Sequence, residues 1–362
     1  MIIHIMTSSI YTERYIKFLS ENEDLGSHVF YVSGRQSNYG YTAVSNVHNL
    51  DSIASIKKLL ISASNANGIL LHQLNQPRIL MLLLILRPSI IKKLGWVIWG
   101  GDLSFCLAAK KTLKSKVIGI LYSWIIFRLT MIVAHIPGDY KLLSTNYRSK
   151  AVYLCAKYPG STKNIDLVER GEIDKKKLSI MIGNSGDHSN RHIDVFNYLC
   201  RFSNENIEVH TVLSYGQNQD YINSVVKAGE LRFKDKFVPH LNFMPYENYL
   251  DLLSTIDICV FYHDRQQGMG NLNMFFGLGA KIYLSEKVTT YDYYTSLGME
   301  VFPTENIPNL SFDSFKCMDR KVQENNSFLI AADMDPNGIK AGWSEVFHYF
   351  NARDLAKKNL AG

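Results

Sequence analysis

The sequence predicts an α/β protein built from two Rossmann-like domains facing one cleft. Three observations carry that prediction. Short apolar runs of strand length recur along the whole chain. Segments with apolar residues at three- and four-residue intervals separate them, and strands alternating with helices argue for parallel sheets covered on both faces. A charged stretch, Lys157 to Lys177, carrying Pro159, Gly160 and Gly171, divides the runs into two sets. The expected organisation is an N-terminal domain over 1–160, a linker over 161–177, a C-terminal domain over 178–337, and a final helix over 338–362 packing back on the N-terminal domain.

In the first half the strand-like runs are Ile2–Met6, Val29–Val32, Ile69–His72, Trp96–Trp99 and Met131–His135, with a helical pattern over Ser52–Ala63. The opening "MIIHIM" lacks a basic start, a long apolar core and a small-residue cleavage site. It reads as a first strand rather than a signal peptide, and a cytoplasmic protein is expected. "ILMLLLIL" (Ile79–Leu86) is too short to span a bilayer. Val117–Ile136 is long enough but contains Arg128, and predicts a buried helix followed by a strand. Lys110, Lys111, Lys114 and Lys116 precede it, a pattern suited to resting on anionic lipid. In the second half the runs are Ser179–Ile182, Glu208–Leu213, Ile258–Phe261, Lys281–Leu284 and Glu300–Phe302, with helical spacing over Tyr246–Ser254.

A formal net charge of +6 is too mild to argue for nucleic acid, but it suits an acidic ligand or an anionic membrane surface. The five cysteines are scattered without a CxxC pair, and are expected to be buried free thiols in a reducing compartment.

Two polar breaks at strand ends draw the functional reading. In "LSIMIGNSGDHSNRHIDVFNYL" an apolar run gives way to small and hydrogen-bonding residues before helical spacing resumes, with Ile193, Phe196, Leu199 and Cys200 as its apolar face. Ligands of open parallel sheets sit beyond the carboxyl ends of the strands. Gly183 and Gly186 permit close backbone approach there, and Asn184, Ser185, Ser189 and Asn190 supply donors. Asp187 suits capping or a sugar hydroxyl better than a phosphate. In "CVFYHDRQQGMGNLNMFFGLGAKIYL", Arg265 supplies charge for a diphosphate. Gly268, Met269 and Gly270 bring backbone N–H groups, while Gln266, Gln267 and Asn271 add neutral donors. Neither a GxxxxGK[ST] loop nor, at the first break, a GxGxxG fingerprint is present. A plain polar connection, or a solvated arginine, is the alternative at each break.

"HQLN" (His72–Asn75), "WGGDL" (Trp99–Leu103), "GNSGDHSN" (Gly183–Asn190) and "RQQGMG" (Arg265–Gly270), in matching order along the chain, resemble glycosyltransferase family 56. Its members add 4-acetamido-4,6-dideoxygalactose (Fuc4NAc) from a TDP donor to a lipid-linked disaccharide in enterobacterial common antigen synthesis. The resemblance implies a GT-B architecture, a TDP-sugar donor, an undecaprenyl-diphosphate-linked saccharide acceptor, and peripheral action at the cytoplasmic face of the inner membrane. Many GT-B enzymes hold the ribose with a glutamate; here that position falls near Met274. A TDP donor lacks the 2′-hydroxyl that such a carboxylate would bind.

Glycosyl transfer requires a stabilised leaving diphosphate, an activated acceptor hydroxyl and the exclusion of water. The first task is expected of the two glycine loops and Arg265 without a metal or other cofactor. "DMD" (Asp333–Asp335) is read as a helix-start or turn signal rather than a metal motif. On the acceptor side, Asp102 after the glycine pair and His72 at a strand end are the catalytic candidates, Asp102 as general base. Tyr215 and Tyr246 are candidates for the base and sugar pocket. Two rival readings keep the fold: a nucleotide-sugar epimerase or hydrolase acting on a soluble substrate, and a catalytically silent sugar-nucleotide binder.

Overall fold

The computed structural model describes residues 1–34, 44–74, 84–108, 113–160, 177–216 and 218–359. Asn75, residues 79–83, Lys110, Lys111 and the linker over 161–176 lie outside them. The chain divides into two compact units, one of Met1–Thr162 with Met334–Gly362, the other of Lys163–Asp333.

In the first unit the elements are β1 (Ile2–Thr7), α1 (Ile10–Asn22), β2 (His28–Ser33), β3 (Val47–Asn49), α2 (Ile53–Asn65), β4 (Gly68–His72), β5 (Leu94–Val97), α3 (Gly101–Leu107), α4 (Leu113–Arg128), β6 (Met131–Val133), α5 (Pro137–Tyr147) and β7 (Val152–Leu154). The sheet order is β3-β2-β1-β4-β5-β6-β7 and every neighbouring pair is parallel. The chain starts mid-sheet, winds outward one way, then crosses to the other side, so the order reverses between β1 and β4. Sequence patterning anticipates the central strands, whose apolar residues are buried on both faces. It misses β3 and β7, three-residue edge strands that bury little apolar surface of their own.

A terminal helix (Pro336–Asn359) covers one face of this sheet, burying Ile339, Trp343, Val346, Phe347 and Phe350. Each such side chain contributes about 1.5–3 kcal/mol when fully removed from water. Phe350 lies against strand positions that carry no side chain: a Cβ on Gly68 would stand 2.2 Å from its ring, and one on Gly95 3.1 Å. The Trp343 indole donates to the Lys157 carbonyl at 2.8 Å.

The second unit repeats the plan with β8 (Leu178–Ile182), α6 (His192–Leu199), β9 (Ile207–Val212), α7 (Gln219–Phe233), β10 (Phe237–His240), α8 (Tyr246–Thr255), β11 (Ile258–Phe261), α9 (Met269–Gly277), β12 (Lys281–Leu284), α10 (Thr289–Ser296) and β13 (Phe302–Pro303). Its order, β10-β9-β8-β11-β12-β13, is again all parallel and reverses between β8 and β11. That is the doubly wound pattern, with its ligand crevice at the reversal.

Some expectations need correction. Cys106 and Cys259 are buried, but Cys155, Cys200 and Cys317 are exposed, and all five are free thiols. Cys200 therefore does not belong to the apolar face of α6, whose buried residues are His192, Val195, Phe196 and Leu199. The stretch from Val117 does form a helix and then a strand, but α4 is buried on one side only. Asp335 accepts from the Gly338 N–H at 2.9 Å at the start of the terminal helix, and Asp333 accepts from the Tyr293 hydroxyl at 2.7 Å.

Candidate active site

In the second unit, β8 and β11 are hydrogen-bonded neighbours at the point where strand order reverses. The loops that leave their carboxyl ends are the two glycine-containing breaks, so the sheet brings together segments some eighty residues apart. Asp264 N–H donates to the Ser189 carbonyl at 3.0 Å. The Ser189 hydroxyl bridges the Asp187 carboxylate at 2.5 Å and the Gln267 amide at 2.7 Å, and Gln267 also reaches Asn184 at 3.4 Å. Gly268 takes φ +69° and abuts Asn184, whose side chain a Cβ would meet at 3.2 Å.

Asn190, fully buried, staples the first loop. Its amide donors face the Ser185 carbonyl and hydroxyl and the Asp187 carbonyl at 2.9–3.1 Å, and its oxygen accepts from Asn184 N–H at 2.9 Å. Gly186 N–H is spent on the Tyr215 carbonyl at 2.6 Å, and a Cβ there would lie 2.9 Å from the Leu213 carbonyl oxygen. Asn190 and Gly186 thus shape the loop, and the donors expected of Asn190 are spent inside it.

The anion-attracting groups lie on the second loop. The first N–H groups of α9, from Met269, Gly270 and Asn271, precede the first intrahelical bond, which runs from Leu272 N–H to the Gly268 carbonyl. The Arg265 guanidinium, half-buried, stands 3.9 Å from Asp187 and 3.3 Å from the Gln266 carbonyl. Burial pushes the Asp187 carboxyl up, but the two Ser189 bonds, Arg265 and His188 outweigh it and hold the group below the usual range. Asn271 donates to the Tyr249 hydroxyl at 2.7 Å, which ties α9 to the helix that Tyr246 begins. Tyr246 is half-buried there, while Tyr215 is exposed and packs edge-on to Phe243.

Sequence reasoning singled out Gln266 but missed His192, Ser214 and His263, which join it in a group of buried polar atoms around these loops. Both ring nitrogens of His263, His192 Nε2, Ser214 Oγ and Gln266 Oε1 are buried without a partner among the described residues. Burial lowers the pKa of His263 and His192 to about 3, so both imidazoles are neutral at pH 7. Each unpaired buried group costs about 1–3 kcal/mol, a cost that a bound ligand or ordered water removes. The legible signal was "FYHDRQQG", a histidine two residues beyond a strand end and two before the arginine.

In the first unit, Asp102 sits in the first turn of α3 and is buried. Its Oδ1 accepts from the N–H groups of Trp99 (3.0 Å) and Leu103 (2.9 Å), and its Oδ2 from Leu74 N–H (3.0 Å) and the Trp96 indole (2.8 Å). Burial raises its pKa, and the four bonds oppose that rise. With four donors on two oxygens, no accepting position is left for a substrate proton. The general-base role expected of Asp102 is replaced by a positioning one: it clamps the turns after β4 and β5, with Gly100 at φ +78° opening α3.

His72 is buried too, in a chain that runs diagonally across three strands. His28 on β2 bonds His4 on β1 at 2.9 Å, His4 bonds His72 on β4 at 3.0 Å, and His72 bonds the Tyr158 hydroxyl. Burial lowers His72 to about 3 and His28 to about 4, so the chain is neutral at pH 7. His72 is therefore a poor proton acceptor as placed.

Two doubly wound parallel sheets of this order give the chain the fold of the GT-B glycosyltransferases. Solved structures similar to the whole chain include a glycosyltransferase from Rickettsia africae (TM-score 0.68, 11% identity, covering 96% of this chain and 98% of that one). An Anabaena protein, HepE, in complex with UDP and glucose matches with TM-score 0.69 at 12% identity, covering 96% of this chain and 100% of the other. A UDP-forming trehalose-phosphate synthase from Burkholderia vietnamiensis gives 0.66 at 7% identity over 97% and 100%. Residues 1–314 match the family described as 4-alpha-L-fucosyltransferase, glycosyl transferase group 56, and the chain belongs to that family.

Proposed function

We propose that this glycosyltransferase moves a 4-acetamido-4,6-dideoxyhexose of the Fuc4NAc type from a TDP-sugar to a polyprenyl-diphosphate-linked oligosaccharide, in the synthesis of a bacterial surface polysaccharide. The observation that carries the donor half is the joining of the two glycine loops at the strand-order reversal of the second unit, with Arg265 and the α9 N-terminus on one of them.

As the acceptor oxygen bonds the anomeric carbon, the bond from that carbon to the donor diphosphate breaks, negative charge collects on the leaving group, and the acceptor's hydroxyl proton passes to a leaving diphosphate oxygen. Arg265 and the N–H groups of Met269, Gly270 and Asn271 meet that charge, supplying the stabilisation that a cation supplies in metal-dependent transferases. His263 and Gln266 offer neutral partners for donor oxygens. Met274 stands where a ribose-binding carboxylate is usual, which favours a deoxyribonucleotide. Asp102 and His72 hold the turns that receive the acceptor. The lipid of that acceptor places the reaction at an anionic membrane surface, on the cytoplasmic side in this reading. No helix among the described residues is long and apolar enough to cross a membrane.

The test is calorimetric binding of TDP, UDP and GDP, each with and without EDTA, to the wild type and to Arg265→Ala. The expectation is metal-independent preference for TDP, and a loss of about 10- to 100-fold with Arg265→Ala, the range for a charged hydrogen bond worth about 1.5–3 kcal/mol. Preference for UDP would overturn the donor assignment. Binding abolished by EDTA would overturn the metal-free mechanism.

A further inference from the structure

Helix α4 is apolar on two sides. One side, Tyr122, Ile125 and Ile126, is buried in the core of the first unit. The other carries Val117, Ile120, Trp124 and Phe127, which are 59%, 71%, 40% and 47% exposed. Spacings of three and four align them in one stripe about 15 Å long, from the 1.5 Å rise per residue. Phe105, also exposed, stands beside the helix with its ring 6.0 Å from that of Tyr122. Ile85 and Leu86 are exposed just before Pro88–Lys93, a 3-10 helix that packs against α4.

The charge of this region has one sign. Residues 84–128 hold eight cations (Arg87, Lys92, Lys93, Lys110, Lys111, Lys114, Lys116 and Arg128) and a single carboxylate, Asp102. That surplus of seven exceeds the +6 of the entire chain, and Asp102 is buried under four hydrogen bonds. Arg128 lies over the Trp124 ring at 4.6 Å and near Phe127 at 5.8 Å, so a cation is held at the edge of the apolar stripe.

We propose that this face docks on an anionic lipid bilayer, with α4 lying in the plane of the surface and Val117, Ile120, Trp124 and Phe127 inserted at the headgroup boundary. An apolar stripe satisfies the acyl margin while exposed Lys116 and Arg128, on the same helix, meet the phosphates. A second copy of this chain is a poorer occupant, because the same surplus of positive charge would face itself. The assignment rests on the lipid-linked acceptor proposed above, and deepens it by naming the surface that reaches the lipid.

The test uses the full chain and vesicles that contain no acceptor. Sedimentation with phosphatidylglycerol–phosphatidylcholine vesicles is compared with pure phosphatidylcholine, at 0.1 and 0.5 M salt. We expect binding to the anionic vesicles only, weakened by salt, and reduced at least tenfold by Ile120→Glu or Phe127→Glu. Trp124 emission should shift to the blue on binding, and Trp124→Phe should remove that shift while leaving the chain folded. Transfer to a short-chain, water-soluble acceptor should be unchanged by Ile120→Glu. Vesicle binding that ignores these substitutions would overturn the proposal, as would a dimer in solution that the same substitutions dissociate without any vesicle binding. Intact vesicle binding with no sugar transfer would leave this face standing and sink the donor–acceptor reading instead.

Discussion

Asp102 shows how a residue's surroundings decide its chemistry. A carboxylate after a glycine pair at a strand end is a good candidate base on sequence grounds. Here its four lone-pair positions are filled by the N–H groups of Leu74, Trp99 and Leu103 and by the Trp96 indole. Asp102→Asn turns one oxygen into a donor that must face another donor, leaving buried N–H groups unpaired. The expected cost is about 3 kcal/mol, read as a lower urea midpoint for the first unit. A variant as stable as wild type but without transfer activity would restore the general-base reading.

At the scale of elements, helix-on-sheet packing depends on residues that have no side chain. The terminal helix seats Phe350 in space that a Cβ on Gly68 would fill from 2.2 Å away. Gly68→Ala cannot be accommodated without moving the ring, and overpacking of this kind costs about 1–3 kcal/mol. A lowered melting temperature, recovered in part by pairing Gly68→Ala with Phe350→Leu, is the expected result. Additive losses in the double variant would show that the two positions do not meet. The loops after β8 and β11 depend likewise on missing side chains, at Gly186 against the Leu213 carbonyl and at Gly268 against Asn184.

Across the whole molecule, buried histidines tie stability to pH. His72 in the first unit and His192 and His263 in the second are pushed down to about 3, and His28 to about 4, with burial the largest cause in each case. His4 is lowered too, by burial and by its neighbours His28 and His72. In the unfolded chain each takes up a proton near pH 6.5. The unfolded state therefore binds more protons between roughly 6.5 and the folded values. The stability that neutral imidazoles permit is complete above about pH 6.5 and falls as pH falls, by about 1.4 kcal/mol per unit for each histidine. Urea unfolding at pH 7.5, 6 and 5 should show a steeply falling midpoint in both units. A flat midpoint over that range would mean that these rings already exchange protons in the folded chain.

The amino-acid sequence by itself determined the alternation of strands and helices, the central strands of both sheets, and the loops that carry Arg265 and the glycines. Each of those signals is local: a buried run must be apolar, and a tight approach must be glycine. The short edge strands β3, β7 and β10 escaped because pairing with a neighbour, rather than their own composition, makes them strands. Only the tertiary structure decided which local signals meet. Parallel pairing of β8 with β11 puts Ser189 against Gln267, 78 positions apart, and the pairing of β2, β1 and β4 lines up His28, His4 and His72. The same packing closed Asp102 inside four donors and left one side of α4 bare. Whether a polar group is free, spent or unpaired depends on neighbours distant in sequence, and those neighbours are assigned when the sheets assemble.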